Sequence, residues 1–156
     1  MDVIDLIHKM ESNFRAFYQL LHPLAEGNAE VPPNADAAHL EEILNLTTCI
    51  EDEVIDFRLK KIQNEEHPYL PAINVDRIKG GNSNMLTSLP ESITIFLNHK
   101  KGLIKYLYSV PATEWERTGV HQVEGHLTFN ELVRRMIDKD SWLQQELKAA
   151  LKHSSE

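Results

Sequence analysis

The chain has one cysteine in 156 residues, Cys49, which rules out an intramolecular disulfide and fits a reducing compartment. Basic residues are also scarce: 16 Lys and Arg stand against 24 Asp and Glu, for a formal charge of -8. Proteins that grip nucleic-acid phosphates concentrate positive charge, so no nucleic-acid partner is expected. Long hydrophobic runs are missing too. No stretch approaches the roughly 20 apolar residues that a membrane-spanning helix needs. The opening "MDVIDLIHKMESNF" carries acids where a secretory signal has its basic region. No membrane association is expected, and a cytoplasmic location is the expectation that follows.

What is present is an ordinary globular balance, 42% hydrophobic and 26% charged, in a length that fits one domain. The expected division is a single domain over 1–152 and a short polar tail, 153–156. Over about residues 2–21, Val3, Leu6, Ile7, Met10, Phe14, Phe17 and Leu21 have the spacing of a core-facing helix, with Pro23 placed to stop it. A loop punctuated by Gly and Pro follows. Asp36 is a suitable N-cap for a second helix of about 28 residues. Its stripe reads Leu40, Ile43, Leu44, Thr47, Ile50, Val54, Phe57 and Ile62.

The connection "NEEHPYLPAINVDRIKGGNSNMLTSLP" is unusually long, and it permits the second and third helices to run parallel. The third helix begins at "LPESITIFL", with Pro90 in its first turn, and Pro111 closes it. The fourth opens at "LTFNEL", where Thr128 and Glu131 have capping-box spacing, and carries Phe129, Leu132, Val133, Met136, Leu143, Leu147 and Leu151. Four amphipathic helices with no convincing strand and no internal repeat predict an all-α four-helix bundle.

The segment "EDEVIDFRLKKIQNEEHPYLP" and the later "VPATEWERTGVHQVEGHLTFNELVRRMIDKD" resemble the DinB/YfiT-like superfamily, over about residues 36 to 147. The resemblance implies a four-helix bundle with a long connection between helices two and three, and often a homodimer. It also implies a relation to putative metal-dependent enzymes and thiol-dependent transferases. In that family three histidines usually hold a divalent metal, one on helix two and two on helix four. Here the helix-four positions match Lys139 and Leu143, with Asp140 retaining the acid beside the first. The helix-two position falls on Thr47, or on Leu46 in the alternative register. None is histidine.

Threonine is a poor ligand for zinc or nickel, leucine is none, and an ammonium opposes a dication. The expectation is therefore no metal cofactor at the usual place, with a divalent ion such as zinc or nickel as the alternative if a substitute ligand set exists. Among the eight histidines no pair has the HxxxH spacing that puts two rings on one helical face, and His99 reads as a hydrogen-bonded edge residue. A displaced carboxylate site would draw on Glu51, Asp52, Asp138 or Asp140, although a run such as "EDE" normally marks a solvated face.

Asp140 falls within an apolar stripe and needs a partner, for which Thr47, Lys139 and Arg58 are the candidates. The candidate pocket is accordingly Thr47, Lys139, Asp140 and Leu143, read either as a structural polar cluster or as a small-ligand site. Trp142 points away from the stripe, which suits either burial in a partner or cover by the 64–89 connection. Trp115 is expected to plug one end of the helices, with Glu116 and Arg117 tying the turn. Cys49 is expected to be an inert thiol. The functional expectation is a DinB-like, small-molecule- or partner-binding homodimer with a degenerate metal site; the alternative is a metal-dependent or thiol-dependent transferase or hydrolase.

Overall fold

The computed structural model describes residues 2–26, 36–82 and 88–151, without the side chains of 81 and 82. The chain is mostly helical with a small sheet. In order, α1 is Val3–Ala25 and α2 is Ala37–Val54, which continues through a π-helical turn, Ile55–Leu59, into α3, Lys60–Asn64. Then come β1 (Tyr69–Leu70), α4 (Val75–Asn82), α5 (Leu89–Ser109), a 3-10 turn (Ala112–Glu116), β2 (Thr118–His121), β3 (Gly125–Thr128) and α6 (Phe129–Leu151). Among the described residues no helix is long and apolar enough to cross a membrane. The expected 153–156 tail and most of the loop before Asp36 lie outside the described residues.

Helix starts follow local chemistry. Asp36 Oδ1 accepts from the His39 amide at 3.0 Å, Ser88 Oγ from Glu91 at 3.3 Å, and Thr128 Oγ1 from Glu131 at 3.0 Å. Each bond satisfies an amide that the first turn leaves without a helical partner. Pro23 does not stop α1, which continues to Ala25. A proline in the last turn forfeits only one helical bond, and burial of Leu21 in the core holds the segment in place.

Two apolar clusters form the core. One gathers Leu6, Ile7 and Met10 of α1, Ile55, Leu59 and Ile62, Leu103 and Leu107 of α5, and Phe129 to Ile137 of α6. The other gathers Phe17 and Leu21, Leu40 and Leu44, Leu89 to Leu97, and Leu143, Leu147 and Ala150. Thus α1 and α6 run from the first cluster to the second, while α2 and α5 run the opposite way. The long connection allows that parallel pair.

The sheet corrects the expectation of no strand. β1 pairs parallel with β2, Tyr69 opposite Val120, and β2 pairs antiparallel with β3. Strands of two and four residues carry too little alternation to be read from sequence. Gly119 is required there: a Cβ would lie 2.7 Å from the Leu70 side chain. Trp115 is fully buried against Phe129, with ring centroids 5.1 Å apart. Arg117 donates to the carbonyls of Ile62 and Glu65, both at 2.8 Å, and so ties this end to α3.

The stripe of α2 is rotated from the expected one. Leu40, Leu44, Thr48, Glu51 and Ile55 are buried, whereas Thr47 and Ile50 sit at the margin and Phe57 is 53% exposed. The π turn at Ile55–Leu59 adds to the rotation, because a wider turn shifts every later side chain around the axis.

Candidate functional site

Between the two apolar clusters lies a polar layer to which each long helix contributes. Asn13 comes from α1, Glu51 from α2, Lys100 from α5 and Asp140 from α6, and all four are buried. Each replaces an apolar residue at one step of its helix's stripe, so the four meet at one level. Lys100 Nζ lies 2.7 Å from Glu51 Oε2 and 2.6 Å from Asp140 Oδ1. Its ammonium also stands 5.5 Å and 5.6 Å from the ring centroids of Phe17 and Phe96, which close the site from the second cluster.

The layer reaches the surface through His99. Its Nδ1 is 3.2 Å from Asp52 Oδ1, and its Nε2 is 3.4 Å from Glu51 Oε1. At the opposite end Asn13 Oδ1 accepts from Gln144 Nε2 at 3.3 Å. Within the layer Asn13 Nδ2, Glu51 Oε1, His99 Nε2 and Asp140 Oδ2 are buried without a formed hydrogen bond. Buried polar groups are normally satisfied. Glu51 Oε1 and His99 Nε2 face each other across 3.4 Å, and Asp140 Oδ2 and Asn13 Nδ2 are left unmatched, which marks the layer as a place where protons or ligands matter.

Electrostatics divide the two carboxylates. Burial pushes Glu51 up, but the Lys100 charge and the contacts with His99 and Lys100 outweigh it and hold Glu51 below its usual value. At Asp140 burial wins over Lys100, Glu51 adds to the rise, and the carboxyl is lifted to about 6. Asn13 opposes that rise from nearby, although its amide makes no formed bond to Asp140. Burial pulls Lys100 down, yet its two carboxylates more than reverse this and keep it an ammonium.

Beside the layer, in the groove between α2 and α6, is a cavity of about 370 Å³ lined by Thr47, Ile50, Glu51, Lys139, Asp140, Trp142 and Leu143. All four expected pocket residues are brought together there, and Trp142 forms part of the same wall. Trp142 remains 61% exposed, so the described part of the 64–89 connection does not bury it. The partners expected for Asp140 are corrected. Lys139 is exposed at the rim, Thr47 only lines the cavity, and Arg58 donates to the Pro71 carbonyl at 3.2 Å. Lys100 takes the role instead.

The acidic run is corrected as well: Asp52 is exposed, but Glu51 is buried in the layer. Asp138 lines a different groove with Leu6, Lys9 and Arg134. His99 is an edge residue as expected, with the added part of linking Glu51 to Asp52. Burial, helped by Asp52 and Glu53, raises the Cys49 thiol, which suits a thiol of low reactivity.

The residues do not fit a metal at the positions the resemblance indicates. Thr47, Lys139 and Leu143 provide one weak oxygen donor and one cation. The carboxylates nearby already face Lys100, whose charge opposes a dication. Among the described residues no group of three or more His, Cys, Asp or Glu could hold a metal ion. Comparison of the chain with protein-family models, with curated proteins and with solved structures found no match in any of the three.

Proposed function

We propose that the chain is a DinB-like four-helix bundle that binds a small molecule in the α2–α6 pocket, as a cytoplasmic homodimer, without metal chemistry. The observation that carries this reading is the ammonium of Lys100 held between Glu51 and Asp140, two residues that also line an open cavity. A cation built into the protein engages the carboxylates that a metal would need, while the neighbouring cavity stays open. The opposite running of α1 and α6 against α2 and α5 supports the bundle. The exposed Trp142 supports a dimer contact near the pocket.

The test is elemental analysis of untagged protein, purified without chelator and then incubated with zinc and nickel. Metal at background level is the expected result. Near one metal per chain would overturn the reading and favour a metal-dependent transferase or hydrolase with a substitute ligand set.

A further inference from the structure

We propose that the pocket between α2 and α6 selects a small organic cation, an ammonium on an apolar or aromatic body, with the charge toward Glu51 and Asp140 and the body against Trp142. This rests on the pocket being a ligand site. The polar layer holds two carboxylates and one fully buried ammonium, so it is one positive charge short. Lys100 and His99 face the two oxygens of Glu51, and Lys100 takes Asp140 Oδ1, so Asp140 Oδ2 is the carboxylate oxygen left over, buried without a hydrogen-bond partner. Glu51 and Asp140 line the cavity, whereas Lys100 does not.

The charged groups around Asp140 come from every side. Lys100 of α5 and Glu51 of α2 stand in the layer, with His99 and Asp52 behind them; Asn13 of α1 is uncharged. Lys139 of α6 is the one cation that lines the cavity among the described residues, and it is exposed. Its charge is screened by solvent, while the buried carboxylates act through a poorly screening interior. Negative charge therefore governs the inner end. At the outer end the exposed indole of Trp142 offers a π face to a cation or a ring, and Ile50 and Leu143 supply apolar wall.

The experiment titrates the intact protein by calorimetry with three probes of one shape: 2-phenylethylammonium, 2-phenylethanol and phenylacetate. The ammonium is expected to bind about tenfold more tightly than the alcohol, and the anion most weakly. Lowering the pH through 6 should weaken the ammonium alone, as Asp140 gains its proton. Trp142→Ala, at an exposed site that the fold tolerates, should weaken both the ammonium and the alcohol. Asp140→Asn should erase the preference between them. Equal affinity for ammonium and alcohol, or tighter binding of the anion, overturns the cation inference and leaves a ligand pocket standing. Failure of all three probes to bind overturns the pocket reading with it.

Discussion

Lys100 and Asp140, forty residues apart in sequence, meet at 2.6 Å in the middle of the protein, both almost wholly shielded from water. Two charges so placed are stable only together. Desolvating either alone costs several kcal/mol, and their attraction offsets this only while the geometry holds. Glu51 makes the arrangement a triad with excess negative charge, and the pocket opens beside that excess.

Replacing Lys100 tests this directly. Lys100→Met keeps the length of the side chain and removes its charge, leaving two carboxylates facing one another. It should cost about 3–5 kcal/mol, read as a lower midpoint in urea at unchanged slope. Combining it with Glu51→Leu and Asp140→Leu should recover most of the loss, because an apolar layer would then join the two clusters. If Lys100→Met alone unfolds no more readily than the parent, the triad does not hold the helices together.

The carboxylates should also respond to pH in opposite ways. Asp140 is raised in the folded protein to about 6, from 3.8, so the folded state binds its proton more tightly than the unfolded chain. Its contribution is therefore full below the unfolded value and is lost as pH rises from about 4 to about 6, by roughly 3 kcal/mol. Glu51 is lowered, so its contribution is present above its ordinary 4.5 and is lost as pH falls. Asp140→Asn should therefore gain stability relative to the parent as pH climbs through that window. Urea titrations every half unit would detect it, and a flat difference would place the Asp140 proton elsewhere.

Much of this arrangement was legible in the sequence. Asp140 stands out because Met136 and Leu143 fix the apolar face on which it falls, and Lys139 and Leu143 follow from the family resemblance. Trp142, which the helical wheel turns away from that face, shares their cavity only in the folded protein. Lys100 does not stand out. In "LNHKKGL" the stripe through Ile93, Phe96, Leu103 and Leu107 selects position 100 over 101, but a lysine at such a step reads as a margin residue until the packing of α5 against α2 and α6 buries it. Thr47 and Thr48 both fit a helical stripe, so the spacing alone does not single out Thr48 as the buried one. The choice is settled by tertiary contact, with the Thr48 hydroxyl turned back to the Leu44 carbonyl at 2.9 Å. The strands are not legible in the sequence because two to four residues give no usable period.

Trp142 offers a test of association. An exposed aromatic can be removed with little effect on folding, so Trp142→Ala should change stability by no more than about 0.5 kcal/mol. If the homodimer forms through this face, sedimentation velocity should give a dimer for the parent and a monomer for the variant. A dimer that survives Trp142→Ala would move the interface elsewhere, and a monomeric parent would remove it.

Cys49 should be slow. Burial and the neighbouring Asp52 and Glu53 raise its thiol, and the thiolate is the reactive form. Iodoacetamide at pH 8 should therefore alkylate the native protein several-fold more slowly than the urea-unfolded chain, with mass spectrometry following the single site. A rate equal to or above that of the unfolded chain would reveal an activated thiol and revive a thiol-dependent reading.

The metal positions drawn from the resemblance can be tested by restoring them. Thr47, Lys139 and Leu143 line one cavity, so histidines at all three would converge on a common volume with Asp140 beside it. The triple variant Thr47→His, Lys139→His, Leu143→His should bind zinc, and cobalt in its place should give the visible bands of a tetrahedral site. Leu143→His removes a core leucine, so the apo variant should melt lower than the parent and regain stability when metal is added. Adding Lys100→Met should tighten binding further by removing the opposing charge. A folded triple variant that takes up no metal would mean that the helix-two position is not Thr47, and Leu46 would be the next to change.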